Sequence, residues 1–393
     1  MMRTAAPQTG GAGVTDGGTF DSIDLPAKYF LNQNGIDYCL YNRIPLRDLH
    51  GWDGERGTGF EWRRCRTDSL KHLVARTMLS HIELDRTEFI SVRAPLISLT
   101  QLVLAGALIA RFRPELKRRL VSDPHAAELL AISSAKAIFS SRDAIAAAIK
   151  VHADRVSSLR VAVETECFHA ARRNACFEDE EDGLRWIEAL IDAIGTETLL
   201  VLSFLGPEGL DLAAQSILAY AKRIGLAGQL SLLLTELIQV AEKSYLQSLA
   251  QHDRSARSHP EEIQRFLAEP DFREKLIKVA VQRGESMVLR ISFAGLPGER
   301  SGSSRLEIAV RTRGLIGYDP QQQNLFNRRK TIKQTNLESL LKSAARDDEY
   351  AELSLAYYAG FEQACTKEGM AFSSSVILDE MKKETVTTMA IAL

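Results

Sequence analysis

The sequence predicts an α+β fold in which a mixed sheet is covered by helices on one face. Long stretches between residues 96 and 252 carry apolar residues at the 3.6-residue period of an α-helix. Two pairs of strand-like runs follow, 286–295 with 304–313 and 373–380 with 384–393. Runs of helices followed by runs of strands are typical of α+β proteins.

Residues 1–95 divide into a tail and a small unit. Residues 1–20 are rich in Gly, Thr and Ala and contain no apolar run, which predicts a disordered tail rather than a secretory signal. Residues 21–95 mix turn signals with short alternating runs, which predicts a small α/β or β-rich unit. The segment FISVRAP (89–95) is expected to be a strand that stops before a proline.

Residues 96–207 form the predicted helical region. The longest uncharged run, 94–110, includes Pro95, Ser98 and Thr100. It is short and polar for a membrane span, so we interpret it as a buried helix and expect no membrane span. The segment ETLLVLSFLGPEG (197–209) fits either a strand or the end of a helix.

The C-terminal region, 208–393, is predicted to form an α/β sandwich. A long helix at about 229–252 precedes a charged insertion at about 253–285. The hairpin 286–313, further helices and the hairpin 373–393 then complete the chain.

Composition narrows the classes of partner and compartment. The net charge is -2 and there is no basic excess, so the sequence gives no support for binding nucleic acid. Five cysteines without a regular spacing indicate a reducing compartment, and we therefore expect a cytoplasmic protein.

The stretch TELIQVAEKS, at 235–244, carries the most specific pattern. Glu236, Val240 and Lys243 are spaced i, i+4 and i+7, so they share one face of the predicted helix. The alternative interpretation is a plain amphipathic helix, since such a pair of charges is common on helices.

With the order of elements after it, this stretch resembles the ATP-binding domain of the superfamily that includes histidine kinases, gyrase and the Hsp-type chaperones. The first motif of that family is a helix with a Glu that polarises water, an Asn that holds Mg²⁺ and a basic residue that reaches phosphate. The resemblance assigns Glu236 and Lys243 to the first and third positions, and Val240 to the Asn position. A valine has no oxygen to offer Mg²⁺.

The other two motifs are also altered. The family's Asp-x-Gly after a strand, which contacts the adenine amino group, corresponds to Arg313 and Gly314. Its Gly-x-Gly turn, which lets backbone N–H groups approach phosphate, corresponds to Glu352 and Ser354. The resemblance therefore implies a degenerate nucleotide pocket.

The sequence leaves three hypotheses about function. The first is a non-catalytic regulatory or scaffolding protein of bacterial signalling, a pseudo-ATPase that contacts a protein partner. A homodimer is compatible with this hypothesis. In the second, the protein binds ATP and Mg²⁺ and acts as a weak ATPase or kinase through Glu236 and Lys243. The third is a helical interaction protein unrelated to nucleotides, in which the chain from about 284 onward would not form one sheet covered by the 229–252 helix.

Overall fold

The structure is a computed structural model of the whole chain. It describes the following residues, and every structural statement below concerns them: 22–43, 50–51, 58–62, 65–122, 147, 149–174, 180–252, 269–284, 286–294, 304–313, 349–379 and 384–393.

Ten strands form two antiparallel sheets within the described ranges. Their bounds are β1 Ser22–Ile23, β2 Ala27–Leu31, β3 His50–Gly51, β4 Thr58–Trp62, β5 Cys65–Arg66, β6 Leu79–Arg86, β7 Met287–Ala294, β8 Arg305–Arg313, β9 Ala371–Asp379 and β10 Glu384–Ala392. The large sheet has eight strands in the order β3-β4-β2-β6-β7-β8-β10-β9, and β1 pairs with β5 in a small second sheet.

The helices fill the intervals between the strands. They are α1 Gln33–Tyr41, α2 Thr67–Ala75, α3 Arg93–Ser122, α4 Ala153–Asn174, α5 Glu180–Ile194, α6 Thr196–Phe204, α7 Pro207–Gly225, α8 Ala227–His252, α9 Pro270–Gln282 and α10 Glu349–Lys367. The α+β class is therefore confirmed.

An apolar row crosses the middle of the large sheet. Ile82 of β6, Ile291 of β7, Ile308 of β8 and Met389 of β10 are in register across four strands. All four side chains are at most 1% exposed. Burial of side chains of this size stabilises the fold by about 2 kcal/mol each. Strands from the N-terminal and C-terminal halves of the chain therefore share one apolar core.

Helix α3 lies at the centre of the helical layer, where it packs against α2, α5, α7 and α8. Leu99, Val103 and Leu108 on it are fully buried, so the prediction of a buried helix at 94–110 is confirmed. By length and composition, two described segments, Arg93–Leu120 and Pro207–Gln239, are apolar enough to cross a membrane. Because 67% and 56% of their most apolar windows are buried in the fold, this is weak support for a membrane span.

Several sequence predictions on the C-terminal half hold. The expected hairpins are β7 with β8 and β9 with β10, and the helix expected at 229–252 is α8. The ambiguous segment 197–209 is helical: it contains most of α6 and the start of α7, and Gly206 turns the chain between them with φ of 62°. Residues 1–20 and the greater part of the predicted insertion, 253–268, lie outside the described residues.

Three expectations differ from the structure. Every strand pair among the described residues is antiparallel, so the sheet is not mixed there. The expected N-terminal unit, 21–95, shares a sheet with 208–393, because β6 pairs with β7 from His81 to Arg86. The segment 89–95 is a 3-10 turn that leads into α3, where Pro95 fits the first helical turn because no backbone donor is needed there.

Candidate functional site

The structure brings together the three elements that carry the predicted motifs. Helix α8 packs against both β8 and α10. Glu236, Val240 and Lys243 belong to α8, Arg313 ends β8, and Glu352 and Ser354 lie in α10. The elements of the predicted nucleotide pocket are therefore neighbours in space.

Of the seven candidate residues, Glu236 is the one whose side chain the structure describes. It is half-buried on α8. The backbones of Val240 and Lys243 are helical, and their side chains lie outside the described part.

The second and third motifs are placed by their backbone. Arg313 is in register with Glu384 of β10, and Gly314 lies outside the described residues. Glu352 and Ser354 are the fourth and sixth residues of α10, inside its first two turns. A helical backbone at these positions has its own hydrogen-bonding pattern, which differs from that of a Gly-x-Gly turn ahead of a helix.

A small cavity separates α8 from the start of α3. Its volume is about 10 Å³, and Phe89, Leu96, Leu234 and Thr235 are among the residues that line it. The Thr235 hydroxyl donates to the carbonyl of Ser231 at 2.9 Å, within its own helix. A space of this size holds about one water-sized sphere and is far too small for a nucleotide.

The buried acid of the 235–244 stretch is Glu242, which the sequence reasoning missed. It is 1% exposed, and its Oε1 accepts a hydrogen bond of 2.6 Å from the backbone N–H of Phe89. The available signal was its place on the apolar stripe Leu234, Ile238, Glu242, Tyr245, at helical spacing. Glu242 therefore anchors the chain that leads into α3.

An open groove lies next to this anchor, between the end of β6 and the end of α9. Its volume is about 670 Å³, within the usual range of ligand sites. Asp85, Arg86 and Glu88 line one side, and Val281 and Gly284 line the other. Glu88 forms an ion pair with Arg273 of α9, so one of the two acids is already neutralised.

A polar cluster lies on the face of the sheet opposite the Ile82 row. The His81 ring stacks on Phe30 at 4.1 Å between centroids, and its Nε2 is 3.7 Å from Glu83 Oε1. Glu83 is also 3.8 Å from Arg290 on the neighbouring strand. Burial, with Arg290 and Arg311 nearby, lowers the pKa of His81 to about 3. His81 is therefore neutral at physiological pH, and Glu83 finds its counter-charge in Arg290.

A second polar cluster joins the helical layer to the sheet. Glu115 of α3 accepts a hydrogen bond of 2.6 Å from the Tyr220 hydroxyl and pairs with Arg119 at 3.1 Å. Burial opposes the charge on Glu115, but Tyr220, Arg223 and Arg119 outweigh it and lower the pKa of this carboxyl. Arg223 also donates to the carbonyl of Glu368 at 2.9 Å, just ahead of β9. These contacts fix the positions of α3, α7 and the start of β9.

Among the described residues, no group of three or more His, Cys, Asp and Glu side chains is arranged to hold a metal ion. Glu88 in the open groove and Glu83 in the sheet cluster are each balanced by an arginine.

A family model matches most of the chain. It describes a family of unknown function, DUF8084, and it matches residues 20–393. No curated protein and no solved structure matches the chain. The match extends over the N-terminal strands, the helical layer and the C-terminal strands alike, and the chain therefore belongs to the DUF8084 family.

Proposed function

We propose that this protein acts by binding, as a cytoplasmic regulatory or scaffolding protein of bacterial signalling. In this proposal, residues 208–393 are a degenerate form of the histidine-kinase-like ATP-binding domain, and a protein partner takes the place of nucleotide turnover.

The observation that carries the proposal is Val240 on α8. This helix packs against β8 and α10, the two elements that bear the other motif positions. Phosphoryl transfer depends on a metal ion to neutralise charge that develops on the phosphate oxygens. A valine at the position of the Mg²⁺ ligand offers no oxygen to that ion.

The α10 positions support the same conclusion. A glutamate at 352 adds negative charge where the family has a phosphate-binding glycine, and a polyphosphate would meet repulsion there. The described sheet is antiparallel and includes N-terminal strands, so it differs from the mixed sheet expected for residues 208–393, and the proposal therefore rests on the motif positions.

A second candidate function is weak ATP binding. The half-buried position of Glu236 on α8 favours it, because the acid is still accessible from solvent. In that case Glu236 acts as the base and Lys243 reaches phosphate.

The third hypothesis made a structural prediction that is wrong. It expected the chain from about 284 onward not to form one sheet beneath the 229–252 helix. Strands β7, β8, β10 and β9 are consecutive in one sheet, and α8 packs against β8. We therefore do not propose it.

A nucleotide titration followed by thermal unfolding separates the two remaining functions. A ligand present at 100 times its Kd stabilises the folded state by about 2.7 kcal/mol. The binding-only function predicts no change in melting temperature at millimolar ATP with Mg²⁺.

Two variants make that result interpretable. Lys243→Ala removes the residue assigned to the phosphate, and Lys275→Ala removes an exposed lysine on α9 as a matched control. An ATP-dependent rise in the wild type and in Lys275→Ala, lost in Lys243→Ala, would overturn the binding-only function and establish the second candidate.

A further inference from the structure

Strand β9 forms one edge of the eight-stranded sheet, and it differs sharply from the strand at the other edge. The opposite edge of the described sheet is β3, of which the structure describes two residues. Strand β9 is nine residues long, and its whole length is in unbroken register with β10 on its inner side. No described strand pairs with its outer side. Short edge strands are a common protection against pairing between chains, and β9 lacks it.

The composition of β9 also lacks the usual protection. Residues 371–378, AFSSSVIL, contain no charge and no proline. Charged side chains, especially Lys, and prolines are what natural proteins place on edges that must stay unpaired. The side chains of Ser373, Ser375 and Ile377 on one face are exposed.

Strand β9 is held in place by contacts with α10 and β10. Phe372 packs its ring against Phe361 of α10 at 5.0 Å and lies 6.2 Å from the ring of Tyr358. The Ser375 and Thr388 hydroxyls are hydrogen-bonded at 2.6 Å. A pre-ordered edge loses little conformational entropy when a further strand pairs with it.

We propose that β9 is a homodimer interface, at which the β9 strands of two copies of this chain pair in antiparallel fashion about a two-fold axis at Ser375. The two sheets then form one continuous sheet. The interface is isologous, as in the most common class of soluble oligomers.

The choice of a second copy as the partner comes from the self-complementarity of the strand. With Ser375 opposite its own copy, every residue of β9 is paired, and position 372 of one chain is opposite position 378 of the other. The one charged residue of the strand, Asp379, is in register with Ala371 of the second copy. No like charges are opposed, which is the arrangement that a stable cross-strand pair requires.

One large exposed apolar side chain lies on β9 itself. Ile377 is 55% exposed, on the face of the strand opposite Phe372. In the proposed register it lies opposite Ser373 of the second copy, so the added strand contacts part of its apolar surface.

Disulfide trapping tests the register directly. Residues directly opposite each other in an antiparallel pair have Cα atoms about 4.5–5.5 Å apart, within the range of a disulfide. Cys39, Cys65, Cys167 and Cys365 are buried, so replacement of the fifth cysteine, Cys176, by Ser gives a suitable background. In that background Ser375→Cys is expected to form a covalent dimer under mild oxidation. Ser373→Cys is the matched control: its two copies lie about 13 Å apart in this register, and we expect no cross-link from it.

Charge placed on the axis tests the interface without any cysteine. Light scattering after gel filtration should give a dimer for the wild-type chain at tens of micromolar. Ser375→Lys opposes two like charges and should raise the dimer Kd roughly tenfold or more, and Ser375→Glu should do the same. Mixing these two variants should restore dimers. Ser373→Lys faces Ile377 of the second copy and should have a smaller effect.

Two results would overturn the proposal. One is a wild-type chain that is monomeric at tens of micromolar, which would leave β9 open to a different kind of strand. The other is a dimer that persists in both Ser375 charge variants and does not cross-link through Ser375→Cys. The Ser375 side chain is exposed, so we expect each variant to fold as the wild type does. Circular dichroism checks that the fold is retained.

Discussion

At the scale of single residues, Glu242 connects two parts of the chain that are 153 positions apart. Its carboxylate accepts from the backbone of Phe89, which is itself fully buried. Burial of a carboxylate is costly unless it is hydrogen-bonded, so its position is set by this contact.

Removal of this acceptor should be strongly destabilising. We expect Glu242→Ala to lower the free energy of unfolding by roughly 2–4 kcal/mol, because a buried N–H loses its partner and a cavity opens. Glu242→Gln keeps an acceptor oxygen and should cost roughly 1 kcal/mol. Urea denaturation measures both, with the exposed Glu274→Ala as the control. Equal losses in the Ala and Gln variants would contradict the acceptor role.

The lowered pKa of His81 makes a second prediction, on stability at acid pH. Burial holds the pKa of the folded state at about 3, below the ordinary value of 6.5. Between these values the unfolded chain binds more protons, so stability should fall as the pH drops from 6.5 toward 3. The loss from pH 6.5 to pH 4 should be roughly 3 kcal/mol for this group.

His81→Gln should remove that part of the pH dependence. Ser292→Ala, at the cross-strand neighbour in register with His81, carries no titratable group and should keep it. Denaturant midpoints at a series of pH values measure the difference. An identical slope in wild type and His81→Gln would show that His81 is not the responsible group.

At the scale of elements, the local sequence pattern predicted where helices and strands occur better than it predicted which elements contact each other. The hairpins at β7–β8 and β9–β10 and the helix α8 follow from alternation, turn residues and helical period. The prediction of a strand at 89–95 was wrong, and one reason is that Phe89 at its start donates to Glu242, which no local window contains. His81 was missed for the same reason, since its neighbours Phe30 and Arg290 come from other strands.

The corner between α6 and α7 illustrates close packing between elements. A Cβ placed on Gly209 would lie 2.1 Å from the carbonyl oxygen of Leu202, whereas one on Gly360 in α10 would meet nothing within 4 Å. We expect Gly209→Ala to cost roughly 2 kcal/mol, because the backbone of the corner must shift.

Gly360→Ala is the matched substitution in open space. It should stabilise the protein by roughly 0.5–1 kcal/mol, since alanine is the better helix former. Thermal unfolding of the two variants measures the contrast. Similar effects of both substitutions would show that α7 does not approach α6 as closely as described.

At the scale of the whole molecule, the pairing of β6 with β7 makes one sheet from the two ends of the chain. The sequence predicted strands in both regions, and it held no indication that they pair with each other. Pairing between strands so distant along the chain has no local signature, because it depends on which edges meet after the helical layer has formed.

A shared sheet predicts coupled unfolding. The three tryptophans are Trp52, Trp62 and Trp186, so fluorescence reports on the first half of the chain. Ile308→Ala on β8, at a side chain 1% exposed, should cost roughly 2–4 kcal/mol. It should lower the midpoint seen by tryptophan fluorescence as much as the midpoint seen by circular dichroism. A fluorescence transition that does not move would indicate two independent units.

The proposed loss of nucleotide chemistry is tested most directly by isothermal titration of ATP with Mg²⁺ into the full chain. In the proposed assignment Val240 replaces an oxygen ligand of Mg²⁺ and Glu352 replaces a phosphate-binding glycine, so we expect no saturable heat at millimolar ATP. A saturable isotherm with one site per chain, lost in Lys243→Ala and kept in Lys275→Ala, would contradict the proposal.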